Sequence, residues 1–229
     1  MSLPYFFVEQ LGGQEVVLDE DSSKHVISVL RRQKGEAIGL TDGKGKKVEA
    51  IIIDDNRKRC TVAQRTMITE PKKQYPAIGI SLIKNTSRFE WFLEKATEIG
   101  VSEIIPLLCE RTEKEKFRTD RLRQILVSAM LQSQQCWLPL LHEPTSFEKA
   151  LALPHRPKFI AHCLPGEKNM PRPAAPGSSP LMLIGPEGDF TPAEVEAAIG
   201  SDCIPVSLGA TRLRTETAGL VALVQLRTP

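Results

Sequence analysis

"LMLIGPEGDFTPAEVEAAIG", residues 181–200, carries the reading that decides the fold class. Its first five letters are a compact apolar run suited to a buried strand. Gly185 and Gly188 then flank Pro186-Glu187, which gives a stiff turn carrying one acid. Thr191-Pro-Ala-Glu194 follows as a capping box: the threonine oxygen and the glutamate each satisfy an orphan N–H at a helix start. Proline stands at the first helical position, where its missing N–H costs nothing. The helix "AEVEAAI" ends at Gly200. A strand, a glycine turn and a capped helix together form half of a βαβ unit.

The same alternation extends in both directions. Downstream, "CIPVSLG" (203–209) is a strand, and "ATRLRTETAGLVAL" (210–223) leads into a last helix. Upstream, "AIGISLI" (77–83), "VSEIIPLL" (101–108) and "PKFIAHCL" (157–164) are further strands, and "PGEKNMPRPAAPGSSP" (165–180) is a Pro/Gly/Ser loop. Two more helices fit between them. One starts at a second capping box, Ser87-Arg-Phe-Glu90, and stops at Gly100, the residue expected just past a helix C-terminus. The other, "RLRQILVSAMLQ" (121–132), places Leu122, Ile125, Leu126, Ala129 and Met130 on one face. Strands alternating with helices imply a mostly parallel sheet covered by helices, an α/β domain.

Before residue 74 the pattern differs. "EAIGLTDGKGKKVEAIIIDD" (36–55) has a turn signal at Asp42-Gly43 between apolar runs, and "RCTVAQRTMI" (59–68) continues in alternation. Glu70-Pro-Lys-Lys-Gln-Tyr-Pro76 reads as a linker. Two domains are expected, residues 1–73 rich in β-structure and residues 74–229 of α/β type. Residues 24–73 hold 13 Lys and Arg against 6 Asp and Glu, whereas the remainder from residue 74 balances at 17 against 17. A basic field confined to the first third fits a nucleic-acid footprint, because phosphate neutralisation supplies sequence-independent affinity.

Composition narrows the class. At 229 residues, 41% hydrophobic and 25% charged, the chain resembles an ordinary soluble globular protein. No uncharged apolar run is long enough to cross a bilayer, and "MSLPYFFVEQ" lacks the basic and apolar regions of a signal peptide. The five cysteines show no CxxC spacing and the four histidines no HExxH pairing, so reduced thiols and no metal are expected. A dinucleotide fingerprint, a P-loop and the GxSxG hydrolase elbow are all missing. Ligands of parallel α/β sheets sit beyond the carboxyl ends of the strands. Two glycine-bearing strand ends, residues 183–190 and 206–217, read by glycine position alone either as ordinary tight βα turns or as a backbone-built ligand site, of another type than those missing motifs.

Those two ends carry a resemblance. "LIGPEGDFTPAEVEAA" (183–198) and "VSLGATRLRTETAGLVAL" (206–223) are similar to the signature blocks of the bacterial 16S ribosomal RNA (uracil-N3)-methyltransferases, the RsmE type within the SPOUT superfamily. "RFEWFLEKATEIGVSEIIPL" (88–107), with Glu110-Arg111 after it, resembles a third block. "KHVISVLRRQKGEAIGLTDGKG" (24–45) resembles that family's PUA-like, RNA-binding β-barrel. The resemblance implies a C-terminal parallel sheet tied in a deep trefoil knot, which topology rules alone would exclude. It implies a cytoplasmic homodimer that takes S-adenosylmethionine and acts on N3 of a uridine in 16S ribosomal RNA or the 30S subunit, with no membrane partner. Leu183, Ile184, Gly185, Glu187 and Gly188 would form one wall of the cofactor site. Leu208, Gly209, Leu213, Arg214, Thr215, Thr217 and Ala218 would form the other, with Glu216 among them.

For the chemistry, uracil N3 must lose its proton while negative charge develops on O2 and O4. Arg214 and Arg111 are the candidate charge stabilisers. Glu216 is a candidate base, an orienter of Arg214, or a first-turn acid complementing the helix dipole. Arg31, Arg32 and Lys34 are candidates for RNA phosphate contacts. In "AMLQSQQCWLP" (129–139), Leu131 and Gln135 stand where many relatives carry a glutamate and an arginine, while Gln132 and Pro139 are retained. Two other readings stay open: an RNA-binding module of this fold that no longer methylates, and a methyltransferase acting on another RNA site.

Overall fold

The computed structural model describes residues 3–72, 75–113, 117–173, 175 and 177–227. It divides into two compact units, residues 1–72 with 130–138, and residues 73–129 with 139–229. The expected boundary between residues 73 and 74 lies outside the described residues.

The first unit is built on a five-stranded sheet. Its strands are β1 (Tyr5–Phe7), β2 (Glu15–Val17), β3 (Ala37–Thr41), β4 (Lys46–Asp54) and β5 (Thr61–Thr69), in the order β1-β3-β4-β5-β2. Only the β1–β3 pair is parallel. The Asp42-Gly43 turn joins β3 to β4 as the sequence implied. Alternate side chains of β4 point inward, so Val48, Ala50 and Ile52 join Phe6, Leu18, Val26, Ile38, Leu40 and Val62 in one apolar core. The short helix α1 (Glu20–Lys24), capped by the Asp19 carboxylate, runs into one wider π-type turn over His25–Val29.

Residues 130–138 belong to this unit for a visible reason. Gly45 N–H donates to the Cys136 carbonyl, Leu138 N–H to that of Gly43, and the Trp137 indole N–H to that of Glu70. A Cβ at Gly45 would lie 2.4 Å from the Trp137 ring, and its φ of +98° suits glycine alone, so glycine is required there.

The second unit holds a seven-stranded sheet in which every pairing is parallel. Its strands are β6 (Ala77–Ser81), β7 (Glu103–Leu108), β8 (Leu140–Leu141), β9 (Thr145–Ser146), β10 (Lys158–Ala161), β11 (Leu181–Ile184) and β12 (Cys203–Val206). Their order is β12-β10-β11-β6-β7-β8, with β9 also pairing to β7. β6 and β11 are buried along their whole length, as expected of strands covered on both faces. The helices are α2 (Thr86–Ile99), α3 (Thr119–Gln132), α4 (Phe147–Leu151), α5 (Pro192–Gly200) and α6 (Thr215–Arg227). β8, β9 and α4 are short elements with no counterpart in the sequence reading. Among the described residues no helix is long and apolar enough to cross a membrane.

One helix start differs from expectation. α2 is capped by Asn85, whose side chain accepts from the Ser87 N–H, and not by Ser87 itself. Glu90 is thereby released from any capping role and forms a two-pronged pair with Arg121 of α3. The Gly100 stop holds, with a left-handed φ of +99°. The capping box at Thr191 holds in full, with both hydrogen bonds present and Pro192 just inside the helix.

At the amino ends of the strands, Glu103 sits between two imidazoles. His142 Nε2 lies 2.9 Å and His155 Nε2 3.6 Å from its Oε2, and Ser179 Oγ bonds His155 Nδ1. The His155 hydrogen bond, with that of His142, outweighs burial and holds the Glu103 carboxyl at about 2. A carboxylate depressed on folding stabilises above its ordinary pKa, 4.5, and loses that contribution as pH falls toward 2. Glu103→Gln is expected to lower stability at pH 6 by on the order of 1–2 kcal/mol after solvent screening. The gap to wild type should close as pH drops from about 4.5 to 2, as read by urea unfolding. Parallel curves across that range would remove the ion cluster from the account.

Candidate active site

The register of the second sheet sets the site. β12, β10 and β11 are adjacent and parallel, with Val206, Ala161 and Ile184 in one row, so three carboxyl-end loops emerge side by side. Together they enclose a cavity of about 550 Å³. The first turn of α6 closes it with Thr215 and Ala218.

Each loop is held by a few hydrogen bonds. In the β11 loop, Asp189 adopts φ +63°, and its carboxylate accepts from the Phe190 and Cys163 N–H groups, tying the β10 loop to it. A Cβ at Gly185 would lie 3.1 Å from the Phe190 nitrogen and ring, so glycine lets the turn close on Phe190. Thr215 Oγ1 donates to the Gly185 carbonyl at 3.2 Å and binds the start of α6 to the same turn. Gly209 has φ +146° and open space around its Cα, so backbone conformation, not crowding, requires glycine there.

The structure brings most of the expected residues together. Ile184, Gly185, Glu187, Leu208, Gly209, Leu213, Arg214, Thr215 and Ala218 line the cavity. Leu183, Gly188, Glu216, Thr217 and Arg111 do not. Leu183 is fully buried in the sheet, packed over Gly79. Gly188 offers its carbonyl to Arg111 Nη1 at 2.6 Å, and a Cβ there would lie 3.3 Å from the Arg111 stem. Arg111 is thereby placed at the rim of the β11 turn. Glu216 is buried and turned toward α2, with Arg88 Nε 3.8 Å from its Oε1. Arg214 is exposed at the cavity, and its guanidinium has no ion-pair partner among the described residues.

Several lining residues escaped the sequence reading. The β10 loop contributes His162, Cys163 and Lys168, and the other loops add Asp189 and Arg212. The signal was present: "AHCL" is also a strand end, and the rule that selected residues 183–190 applies to it equally. The Lys168 ammonium donates to the carbonyls of His162 and Leu164. Both ring nitrogens of His162 are buried with no hydrogen-bond partner among the described residues, and burial, reinforced by Lys168, pushes its pKa down. Gln132 is exposed and Gln135 bonds Ser133 Oγ; neither lines the cavity.

In the first unit, Arg31 is exposed with φ +55°, Lys34 is exposed, and Arg32 forms an ion pair of 2.6 Å with Glu36.

An RNA methyltransferase domain model matches residues 70–227, and an RNA methyltransferase PUA domain model matches residues 18–63. A ribosomal RNA small subunit methyltransferase E from Synechocystis is 31% identical over 229 residues, spanning 95% of this chain and 74% of that protein. Its namesake from Bacillus subtilis is 30% identical, spanning 87% and 84%. The chain belongs to the ribosomal RNA small subunit methyltransferase E family. Among solved structures, a probable rRNA-methyltransferase from Porphyromonas gingivalis superposes with a TM-score of 0.88 at 35% identity, over 96% of this chain and 95% of that one. A family structure from Neisseria gonorrhoeae bound to S-adenosyl methionine superposes with a TM-score of 0.84 at 27% identity, over 97% and 96%. The likeness covers both units, so the expected α/β architecture with a PUA domain stands.

Behind the cavity, Glu194 ties the β7 end to α5. Its Oε1 accepts from the Glu110 N–H at 2.9 Å and its Oε2 from the Thr191 N–H at 2.8 Å, both in partly or fully buried surroundings. Glu194→Ala strands two backbone donors and is expected to cost about 1–3 kcal/mol in urea unfolding. Glu194→Gln, which keeps an acceptor oxygen, should recover part of that loss. An unchanged midpoint in the alanine variant would show that water replaces the carboxylate freely.

Proposed function

We propose that the protein transfers the methyl group of S-adenosylmethionine to N3 of a uridine in small-subunit ribosomal RNA. The observation that carries this reading is the cavity at three adjacent strand ends, in a chain related over most of its length to ribosomal RNA small subunit methyltransferases E. At about 550 Å³ it falls in the range of small-molecule sites. Its lining suits this cofactor: Ile184, Leu208 and Leu213 offer apolar surface for the adenine. Gly185 and Gly209 bring backbone to the cavity without Cβ atoms in the way. When bound, the cofactor supplies an electrophilic methyl carbon on a sulfonium.

The chain's own residues handle charge and position. As the N3 proton passes to water, negative charge spreads to O2 and O4 of the uracil, and a cation beside them lowers the cost of that loss. The N3 lone pair then forms the N–C bond while the S–C bond breaks and the thioether product leaves. Arg214 has its guanidinium uncommitted at the cavity. Arg111 has one nitrogen committed to Gly188, which fixes its stem and leaves the rest of the fork available. Glu216, turned toward Arg88, acts as an orienter of the first turn of α6 and so of Arg214, in preference to a base. Residues 1–73 bind RNA and residues 74–229 carry the transfer. The enzyme works in the cytoplasm as a homodimer.

The knot belongs to the same reading and has support of its own. Asn169 pairs alongside Val206, and its carbonyl accepts from the Ser207 N–H. The segment leaving β10 thus passes outside β12 before returning to β11 on the other side of β10. On this reading the chain that exits β12 passes through the loop so formed.

Labelled cofactor and small ribosomal subunits from a strain lacking the modification test the assignment. Label on uridine N3 is expected; label on another atom, or none in RNA, overturns it. Titration calorimetry with S-adenosylmethionine separates a lapsed RNA-binding module, which gives no stoichiometric binding. Arg214→Ala is expected to lower the transfer rate about 100-fold, as losing one charge-stabilising donor does, with cofactor affinity changed less than about 3-fold. Equal losses in both would make Arg214 a cofactor ligand instead.

A further inference from the structure

A second cavity, of about 360 Å³, lies in the first unit, lined by Leu3, Pro4, Tyr5, Leu30, Arg32, Glu36, Leu131 and Gln134. All of these residues belong to that unit. Tyr5 forms a firm wall. Its ring lies against the Gly39 backbone, where a Cβ would meet three ring atoms at 2.8–2.9 Å, so glycine is what lets the ring lie flat. β1 and β3 place Tyr5 directly opposite Gly39 in the ladder. The Lys47 ammonium stands 5.8 Å from the ring centroid. Such a ring is a platform, held on one side by backbone and with one cation, Lys47, over it.

The polar side of the cavity is specific in a different way. Arg32 and Glu36 are paired at 2.6 Å, and the Gln33 N–H adds a bond to the same carboxylate. Paired charges on the lining do not attract a phosphate. They present a donor fork beside an acceptor carboxylate, with the Gln134 amide near them, and every nucleobase edge offers donors next to acceptors. Phosphate-binding charge lies just outside, in exposed Arg31 and Lys34. Val29, 65% exposed, and Leu30, 38% exposed, extend the rim with apolar surface in a loop otherwise rich in charge.

We propose that this cavity holds one unpaired base of the RNA, stacked on Tyr5, with its edge read by Arg32 and Glu36 and its flanking phosphates met by Arg31 and Lys34. The proposal rests on the RNA-binding reading of the first unit and adds to it a subsite for a splayed-out nucleotide. Charge complementarity favours RNA as the occupant: the exposed cations Arg31 and Lys34 flank the lining residues Leu30 and Arg32 along the chain and suit its phosphates. Stacking on an aromatic face is the usual way that single strands are bound, and a paired base has its edge already occupied. Binding should therefore favour single strands over duplex and depend on the ring of Tyr5.

Fluorescence anisotropy with the full-length protein tests this, using a short labelled single-stranded RNA of mixed sequence and the same strand annealed to its complement. Tyr5→Leu keeps an apolar group on Gly39 but removes the π-face. It is expected to weaken single-strand binding about 10-fold, the typical effect of losing one base stack, while duplex binding stays unchanged. Tyr5→Phe should bind as wild type does, and a thermal melt of each variant controls for folding. Unchanged single-strand affinity in Tyr5→Leu, or equal losses on both probes, overturns the subsite while leaving RNA binding in place. If wild type binds neither probe, the RNA-binding reading itself fails.

Discussion

The constraint on which the rest depends is the distance the chain must cover after its last strand. β12 stands at the edge of the parallel sheet, yet α6 packs against α2, β6 and β11 near the middle. Residues 207–214 must therefore cross the carboxyl ends of β10 and β11. The crossing backbone is outside the strand ladder, held in part by local bonds such as Ser207 N–H to the Asn169 carbonyl, and it passes where ligands of parallel sheets bind. The cavity follows from that crossing. Gly209, in a φ range closed to other residues, bends the crossing segment. Thr215 bonds its far end to Gly185, and Gly219 lets α6 settle on α2, where a Cβ would meet the Phe92 ring at 2.6 Å.

This geometry explains why charge and apolar sequence adjoin so abruptly at residues 212–224. The charged letters belong to the crossing and the apolar letters to the helix that the crossing delivers. Arg212 and Arg214 stay with the cavity because they precede the first turn of α6. Glu216, two residues later, has already rotated to the α2 side and is 6% exposed beside Arg88. A helix turns by about 100° per residue, so two residues suffice to move a side chain from one wall to another.

Local pattern made some of this legible, and non-local contacts hid the rest. β6 and β11 were readable because a fully buried strand leaves no alternation to confuse the eye, and Thr191 because its whole cap lies within four letters. The α2 cap was misplaced for a related reason. Ser87 and Glu90 have the right spacing, but Asn85 comes first, and Glu90 answers to Arg121 thirty-one residues away. The strand order β12-β10-β11-β6 is written in no single segment, and without it nothing marks the β10 loop as a third wall. His162 and Lys168 were missed on that account. Asp189 was missed because its work, accepting from Cys163, needs a positive φ that the letters do not announce.

The two arginines that looked equivalent in the sequence are not equivalent in space. A guanidinium that already donates to a backbone carbonyl has less of its fork left for a developing anion, but it is better fixed. Arg111 is of this kind, anchored on Gly188 at 2.6 Å with its stem pressed to the same residue. Arg214 is the converse, exposed at the cavity with no ion-pair partner for its guanidinium among the described residues. Preorganised donors are worth most because they need not reorient when charge appears. In the proposed reaction the division follows: Arg111 sets the field at the mouth of the β11 turn. In the same proposed reaction Arg214 meets the charge that appears as the uracil loses its proton.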